Sequence, residues 1–194
     1  MLTIRPMTHE ELEPVYRHVE RDFPPIEYPP LHKMKLHFRN NAIEGQLFAS
    51  PSLRAAYAFL LRAEQERRVM LFLYAVEPKL RGQGVGSQFL NALFAQYAQT
   101  DGMYAEVEKA ELAPTHHEAE ICRRRISFYK KLGFVRVHGL HYSIYGVEMH
   151  LFYRPLACAA MPTAAQAIAD VTRLYEGILL PEERFHLDAR KTKD

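Results

Sequence analysis

The sequence predicts an α/β (α+β) domain, a sheet of six to seven strands flanked by helices, with an extra helix near the C-terminus. Three observations carry this expectation. An unbroken apolar run from Val69 to Val76 suits a strand buried on both faces. It leads directly into a glycine-rich turn, Lys79-Leu80-Arg81-Gly82-Gln83-Gly84-Val85-Gly86, and then into Phe89, Leu90, Leu93, Phe94 and Tyr97 at helical spacing. On either side, short alternating segments are interleaved with capped amphipathic ones.

Leu2 to Arg5 alternates apolar and polar residues and predicts a short first strand. Thr8-His9-Glu10-Glu11 has capping-box spacing, and Leu12, Val15, Tyr16 and Val19 follow on one face. Pro14 removes one intrahelical bond, so this helix either bends near its start or begins at Pro14. Phe23 to Pro30 holds four prolines in eight residues, which excludes helix and central strand. It predicts a stiff, exposed connection that displays Phe23 and Tyr28. Leu31 to Asn41 suits a second helix and Gly45 to Ala49 a strand. Arg54–Arg62 and Val69–Val76, joined by the charged turn Ala63 to Arg68, pair as an antiparallel hairpin.

Met103 to Glu108 alternates and predicts another strand. Thr115-His116-His117-Glu118 is a second capping box, opening a helix through Leu132 that Gly133 ends. Phe134–Val137 and Val147–Tyr153 complete the strands, linked by His138 to Gly146. Ile168, Val171, Tyr175 and Ile178 mark a last helix over Thr163–Gly177. Its apolar face is compatible with the domain's own sheet and equally with a second copy in a homodimer. The charged segment 181–194 is expected to fray.

The bulk numbers set limits. The 194 residues suit a single domain over 1–194, at ~100–200 residues per domain. A hydrophobic share of 48% with 25% charged residues is ordinary for a globular protein, and a net charge of +2 gives no global argument for nucleic acid or membrane. Cys122 and Cys158 form no metal spacing or disulfide framework, which suits a reducing cytoplasm. The N-terminus lacks the apolar core of a signal peptide, and no apolar run reaches the ~18 residues of a membrane span.

The glycine turn carries the chemistry. A strand, a glycine-rich turn and a helix start aim free backbone amides and a positive dipole end at whatever lies above them, which suits a phosphate. No Lys-Ser or Lys-Thr follows the glycines, so the turn is not a nucleotide-triphosphate P-loop. The G-x-G-x-x-G fingerprint fails from either starting glycine, at Ser87 or at Phe89, which disfavours a dinucleotide oxidoreductase. What fits is V-x-P at Val76 and Pro78, then R-x-x-G-x-G at Arg81, Gly84 and Gly86.

That pattern resembles the acyl-CoA-binding turn of the GNAT N-acetyltransferase superfamily. The stretch Phe128-Tyr129-Lys130-Lys131-Leu132-Gly133-Phe134 resembles its other hallmark, a helix ending in F-Y-x-x-x-G-F before a strand. The resemblance covers roughly residues 69–137. It implies a GNAT fold with a central mixed, mostly antiparallel, twisted sheet, in which the strands ending at Val76 and at Glu108 start adjacent and then splay.

It further implies acetyl-CoA as co-substrate, with the pyrophosphate on the backbone of Gln83, Gly84, Val85 and Gly86, helped by Arg81 and Gly82. Val76 and Pro78 lie beside the pantetheine arm in this reading. Tyr129 is then the general acid for the departing thiolate, and Glu106 the general base for the amine. Glu108, Glu77 and water compete for the base role, since an insertion, Lys109 to Pro114, separates strand from helix. The implied acceptor is a small-molecule amine or a peptide or protein amine. The alternative is a catalytically silent GNAT-like domain that senses acyl-CoA or serves as a partner subunit.

Other signals weigh less. His117-Glu118 begins like H-E-x-x-H, but Ile121 replaces the second histidine, so no metal is expected. Arg123-Arg124-Arg125 with Lys130-Lys131 suits a solvated face with cations at a helix C-terminus. His138, His141 and Tyr142 lie in a loop able to border the acceptor pocket, although lone loop residues are more often surface groups. Phe23 and Tyr28 have the same standing, and the resemblance implies that the connection after the first helix lines the acceptor site.

Overall fold

In the computed structural model, which describes residues 1–63 and 66–192, the chain begins with β1 (Thr3–Pro6), α1 (His9–Asp22) and α2 (Leu31–Arg39). The strands β2 (Ile43–Ser50), β3 (Leu53–Leu61) and β4 (Arg68–Val76) follow, then α3 (Val85–Gln96), β5 (Gly102–Glu108) and α4 (His116–Lys131). The chain continues through β6 (Val135–Arg136), β7 (Leu140–Ile144), β8 (Val147–Pro155), α5 (Ala164–Glu176) and β9 (Leu187–Lys191). Glu64 and Gln65 of the expected charged turn, and Lys193 and Asp194 of the expected tail, lie outside the described residues.

Local chemistry sets most boundaries. Thr8 accepts from the Glu11 amide while Glu11 accepts from the Thr8 amide, a complete capping box, and Thr163 with Gln166 repeats it at α5. At α4 only half the box forms: Thr115 accepts from the Glu118 amide, but its hydroxyl takes up the Glu118 carboxylate at 2.7 Å. α1 starts at His9 and carries Pro14 inside it, bounded by Asp22.

The strands form one mixed sheet in the order β1-β2-β3-β4-β5-β8-β7-β9, with β6 also on β8. Every neighbouring pair is antiparallel except β4 with β5, which is parallel. This is the expected fold class with nine strands among the described residues in place of six to seven. The additions are β7, inside the expected linker, and β9, inside the expected frayed tail. The tail expectation is therefore corrected: a 3₁₀ turn at Pro181–His186 leads into β9, which pairs with β7 from Leu187 to Lys191. Leu187-Asp188-Ala189-Arg190-Lys191 reads as a polar tail because an edge strand keeps its polar side chains in water, and its partner lies far away in sequence.

Two apolar layers sandwich the sheet. One face packs α1, α2 and α5 through Leu12, Val15, Met34, Val171, Leu174 and Tyr175. The opposite face packs α3 and α4 through Phe89, Leu90, Leu93, Phe128 and Tyr129. The apolar face of α5 is thus taken by the domain's own sheet, with Ala167, Val171 and Leu174 fully buried. At about 1.5–3 kcal/mol for each large apolar side chain removed from water, this docking is a substantial part of the fold.

One polar group sits within that apolar face. Asp170, 1% exposed, accepts from Tyr104 of β5 at 2.5 Å, Arg68 of β4 at 3.1 Å and Arg173 at 2.9 Å. It thereby fixes α5 across the two parallel strands. Asp170→Ala leaves the half-buried Arg68 without that partner, and we expect a loss of about 3 kcal/mol of unfolding free energy in urea denaturation. A change within about 0.5 kcal/mol, the size of an ordinary surface substitution, would show that the network carries no stability.

Candidate active site

A gap in the sheet makes the site. β4 and β5 pair from Arg68/Gly102 to Leu71/Ala105 and then part, although β4 runs on to Val76 and β5 to Glu108. The register between β3 and β4 slips at the same level. Phe59 pairs with Leu73 and Leu60 with Leu71, so Phe72 is an extra residue. A bulge of this kind bends and twists its strand, here away from β5. The opening joins the two faces of the sheet and is continuous with a cleft of about 800 Å³.

On the α3–α4 face the cleft is bounded by Val76, Leu80, Arg81, Gly82, Gly84, Gly86, Phe128 and Tyr129. Gly84 caps α3 at φ +80 and Gly82 holds φ +77, the left-handed region that L-residues avoid. Gly86 serves a different need, because a Cβ there would come within 3.0 Å of the Tyr74 hydroxyl, which donates to the Gly86 carbonyl at 2.7 Å. The amides of Val85, Gly86 and Ser87, in the first turn of α3, have no intrahelical acceptors. These amides and the helix dipole form a cradle for an anion.

Not every residue expected at this turn faces the cleft. Pro78 is exposed and starts a 3₁₀ turn, Pro78–Leu80, that carries it outward, and Leu80 lines the wall instead. Val85 buries its side chain beneath α3, leaving only its amide for a ligand, and Gln83 turns back to donate to the Lys79 carbonyl at 2.8 Å. Arg81 lines the cleft, but its guanidinium is engaged with the Val76 carbonyl at 2.9 Å and with Asp22 at 2.9 Å.

The carboxylate candidates separate clearly. Glu77 pairs with His18 at 3.0 Å and Arg21 at 3.1 Å, outside the cleft lining. Glu108 lines the cleft but receives the Arg125 guanidinium at 2.5 Å. Glu106 also lines it and accepts from two phenols, Tyr142 and Tyr175, the latter at 2.8 Å to Oε1 and 3.0 Å to Oε2. Burial pushes the Glu106 carboxyl up to about 7 against the two donors, and the charge of Glu27 adds to the rise. Strand alternation places Glu106 with Tyr104 on the face covered by α5. Tyr129 faces the gap from the other side, packed edge-on against Phe134 at 5.2 Å, and desolvation pushes its phenol up to about 12.

Several lining residues were not legible beforehand. Glu27, in the proline-rich connection, points into the cleft, and desolvation together with Glu108 pushes it up to about 7. Tyr142, expected at the surface, is buried, because its loop is strand β7. His141 pairs with Glu148 and Asp188, and His138 is exposed. Of the basic cluster, Arg124 and Arg125 turn to the cleft, while Arg123 pairs with Glu120 at 2.8 Å on the solvated face. Of the two aromatics singled out in the proline-rich connection, Phe23 lines the cleft, whereas Tyr28 packs edge-on against Tyr16.

Residues 46–136 match the family described as Acetyltransferase (GNAT) domain. No curated protein sequence matches the chain significantly. Among solved structures, a GNAT-family protein from Bacteroides thetaiotaomicron shares the fold with a TM-score of 0.66 at 20% identity, over 87% of this chain and 92% of that one. The ribosomal-protein-S18-alanine N-acetyltransferase of Escherichia coli gives 0.57 at 20% identity, over 82% and 97%. A phosphinothricin acetyltransferase from Sinorhizobium meliloti, solved in complex with AcCoA, gives 0.57 at 18% identity, over 84% and 93%.

The raised carboxyl links the site to stability. Glu106 moves from 4.5 to about 7 on folding, so the folded chain holds a proton that the unfolded chain releases. Its contribution therefore becomes less favourable as pH rises through this window. Relative to Glu106→Gln, the wild type is expected to lose about 3 kcal/mol of unfolding free energy between about pH 4.5 and about pH 8. A pH-independent difference in urea denaturation would show that Glu106 titrates at its ordinary value.

Proposed function

We propose, for a chain that carries the acetyltransferase domain of the GNAT superfamily and its fold, that it transfers an acetyl group from acetyl-CoA to a primary amine by direct attack in a ternary complex. One observation supports this most: the gap between β4 and β5 is faced by Tyr129 from one layer of the molecule and by Glu106 from the other. A co-substrate and an acceptor can then meet in the gap from opposite faces, each beside the group that its chemistry needs.

The residues present fit acetyl-CoA, which when bound supplies an acyl group activated as a thioester. The amides of Val85, Gly86 and Ser87 and the α3 dipole suit its pyrophosphate. The edge of β4 beyond Leu71, unpaired on the β5 side, offers backbone groups to the amides of the pantetheine arm. Arg81 and Gly82 stand at the mouth beside the glycine turn.

Glu106 accepts the proton that the acceptor ammonium must lose before it can attack. A carboxyl held near 7 is matched to that task at neutral pH, whereas one at 4.5 would be a weak base. Tyr175 and Tyr142 fix the rotamer of Glu106 and favour its ionised form. Tyr129 keeps its proton at neutral pH and donates it from Oη to the departing sulfur.

Tyr129→Phe is expected to lower kcat by about 10²–10⁴-fold in a thiol-release assay while calorimetry shows CoA still bound. Unchanged turnover would remove the acid role, and tight CoA binding without any amine acetylation would favour the sensor reading. Tyr175→Phe removes a donor that stabilises the Glu106 carboxylate, so the acid limb of the kcat/KM profile is expected to move to higher pH. A limb that stays in place would dissociate Glu106 from the proton transfer.

A further inference from the structure

The α5 face of the cleft bears on the identity of the acceptor. Its charges nearly all have partners. Asp22 is held by Arg21 at 2.7 Å and Arg81 at 2.9 Å, Glu108 by Arg125, and Glu106 by two neutral phenols. Glu27 alone among these carboxylates forms no hydrogen bond or ion pair with any described residue. It projects from the turn Pro25–Glu27 toward the same space as Glu106 and Glu108; desolvation and the charge of Glu108 disfavour its ionisation, the nearby Arg125 favours it, and its own charge disfavours that of Glu106.

The rest of this wall is apolar and aromatic, with Phe23, Phe72, Ile144, Tyr145 and Met149. Tyr145 is held there at a cost. It occupies the first position of the two-residue β7–β8 turn at φ +52, followed by Gly146 at φ +79. Such a type I′ turn favours Asn or Asp at that position, and a bulky residue in the left-handed region costs about 1–3 kcal/mol. One part of the ring packs on the core and against His186 at 5.3 Å, and the rest lines the cleft, where it offers an aromatic surface to a ligand.

We propose that the acceptor is a compact monoamine with a flat apolar body, its ammonium held by Glu27 and its body packed against Tyr145 and Phe72. The inference rests on the acetyl-transfer reading and adds the substrate class. A single free carboxylate suits a single cation. A second cation further along the acceptor would meet Arg124 at the cleft wall, while Glu108 there is already neutralised by Arg125, which disfavours a polyamine. With Glu27 as counter-ion, Glu106 is left to take the proton, so the two carboxylates divide binding from base chemistry.

The test compares 2-phenylethylamine, spermidine and an Ala-initiated tripeptide as acceptors for wild type, Glu27→Gln and Tyr145→Asn. We expect 2-phenylethylamine to have the highest kcat/KM. Glu27→Gln should raise its KM about ten- to hundredfold while the KM for acetyl-CoA changes little. Tyr145→Asn relieves the turn but loses the contact with His186, so the readout is kinetic: it should raise the amine KM while the KM for acetyl-CoA changes little, which separates recognition from folding. Preference for spermidine or the peptide, or an amine KM within about twofold of wild type in Glu27→Gln, would overturn the proposal. So would a CoA-loaded protein that neither acetylates nor binds 2-phenylethylamine in calorimetry. Failure to bind CoA at all would instead sink the acetyl-transfer reading itself.

Discussion

The parting of β4 from β5 is the constraint from which the rest of the molecule follows. A parallel pair buried between two helical layers would ordinarily stay hydrogen-bonded along its length, because unpaired backbone groups in an interior are costly. Here one extra residue, Phe72, twists β4 away after Leu71, and the two strands diverge with their facing edges unpaired. The sheet therefore holds a hole in its middle, lined by polar backbone and open to both layers. A ligand with amides along its length is the natural partner for such edges.

Keeping that hole open without losing the fold requires anchors on both sides of it. Below the gap, Asp170 ties α5 to Arg68 and Tyr104 at the paired ends of the two strands. Above it, Asp22 and Glu77 hold Arg21, Arg81 and His18 beneath the glycine turn. On the far side, the Arg125 guanidinium holds Glu108. The ion pairs around the cleft thus serve geometry first. Exposed members such as Arg81 and Arg125 add little stability by themselves, since solvent screens them.

The two faces of the sheet also divide the chemistry. The layer of α3 and α4 contributes free amides and a phenol, which are donors. The layer of α5, β7 and the α1–α2 connection contributes carboxylates and aromatic walls, which suit a cation. The Tyr129 phenol and the Glu106 carboxyl are thereby kept on separate elements with different surroundings. Desolvation acts on both but moves each toward its neutral form, a protonated phenol and a carboxyl near 7. The C-terminal segment takes part directly, because Tyr175 of α5 holds the carboxylate in place.

The sequence alone determined the strand, glycine turn and helix at 69–97, the helix ending at Gly133, the capped helix starts and the fold class they compose. These rest on local demands, such as left-handed φ at Gly82 and Gly84, side-chain caps and the period of apolar residues, and neighbours in sequence suffice to express them. Tertiary structure decided which carboxylate matters and what surrounds it. Glu106, Glu108 and Glu77 look alike along the chain, yet Glu77 is taken up by His18 and Arg21 and Glu108 by Arg125. Glu106 draws its partners from 36 and 69 residues away. Glu27 in a proline-rich connection and β9 in a polar tail were equally hidden. Burial and electrostatic environment are sums over groups brought together by folding, and no local pattern carries that sum.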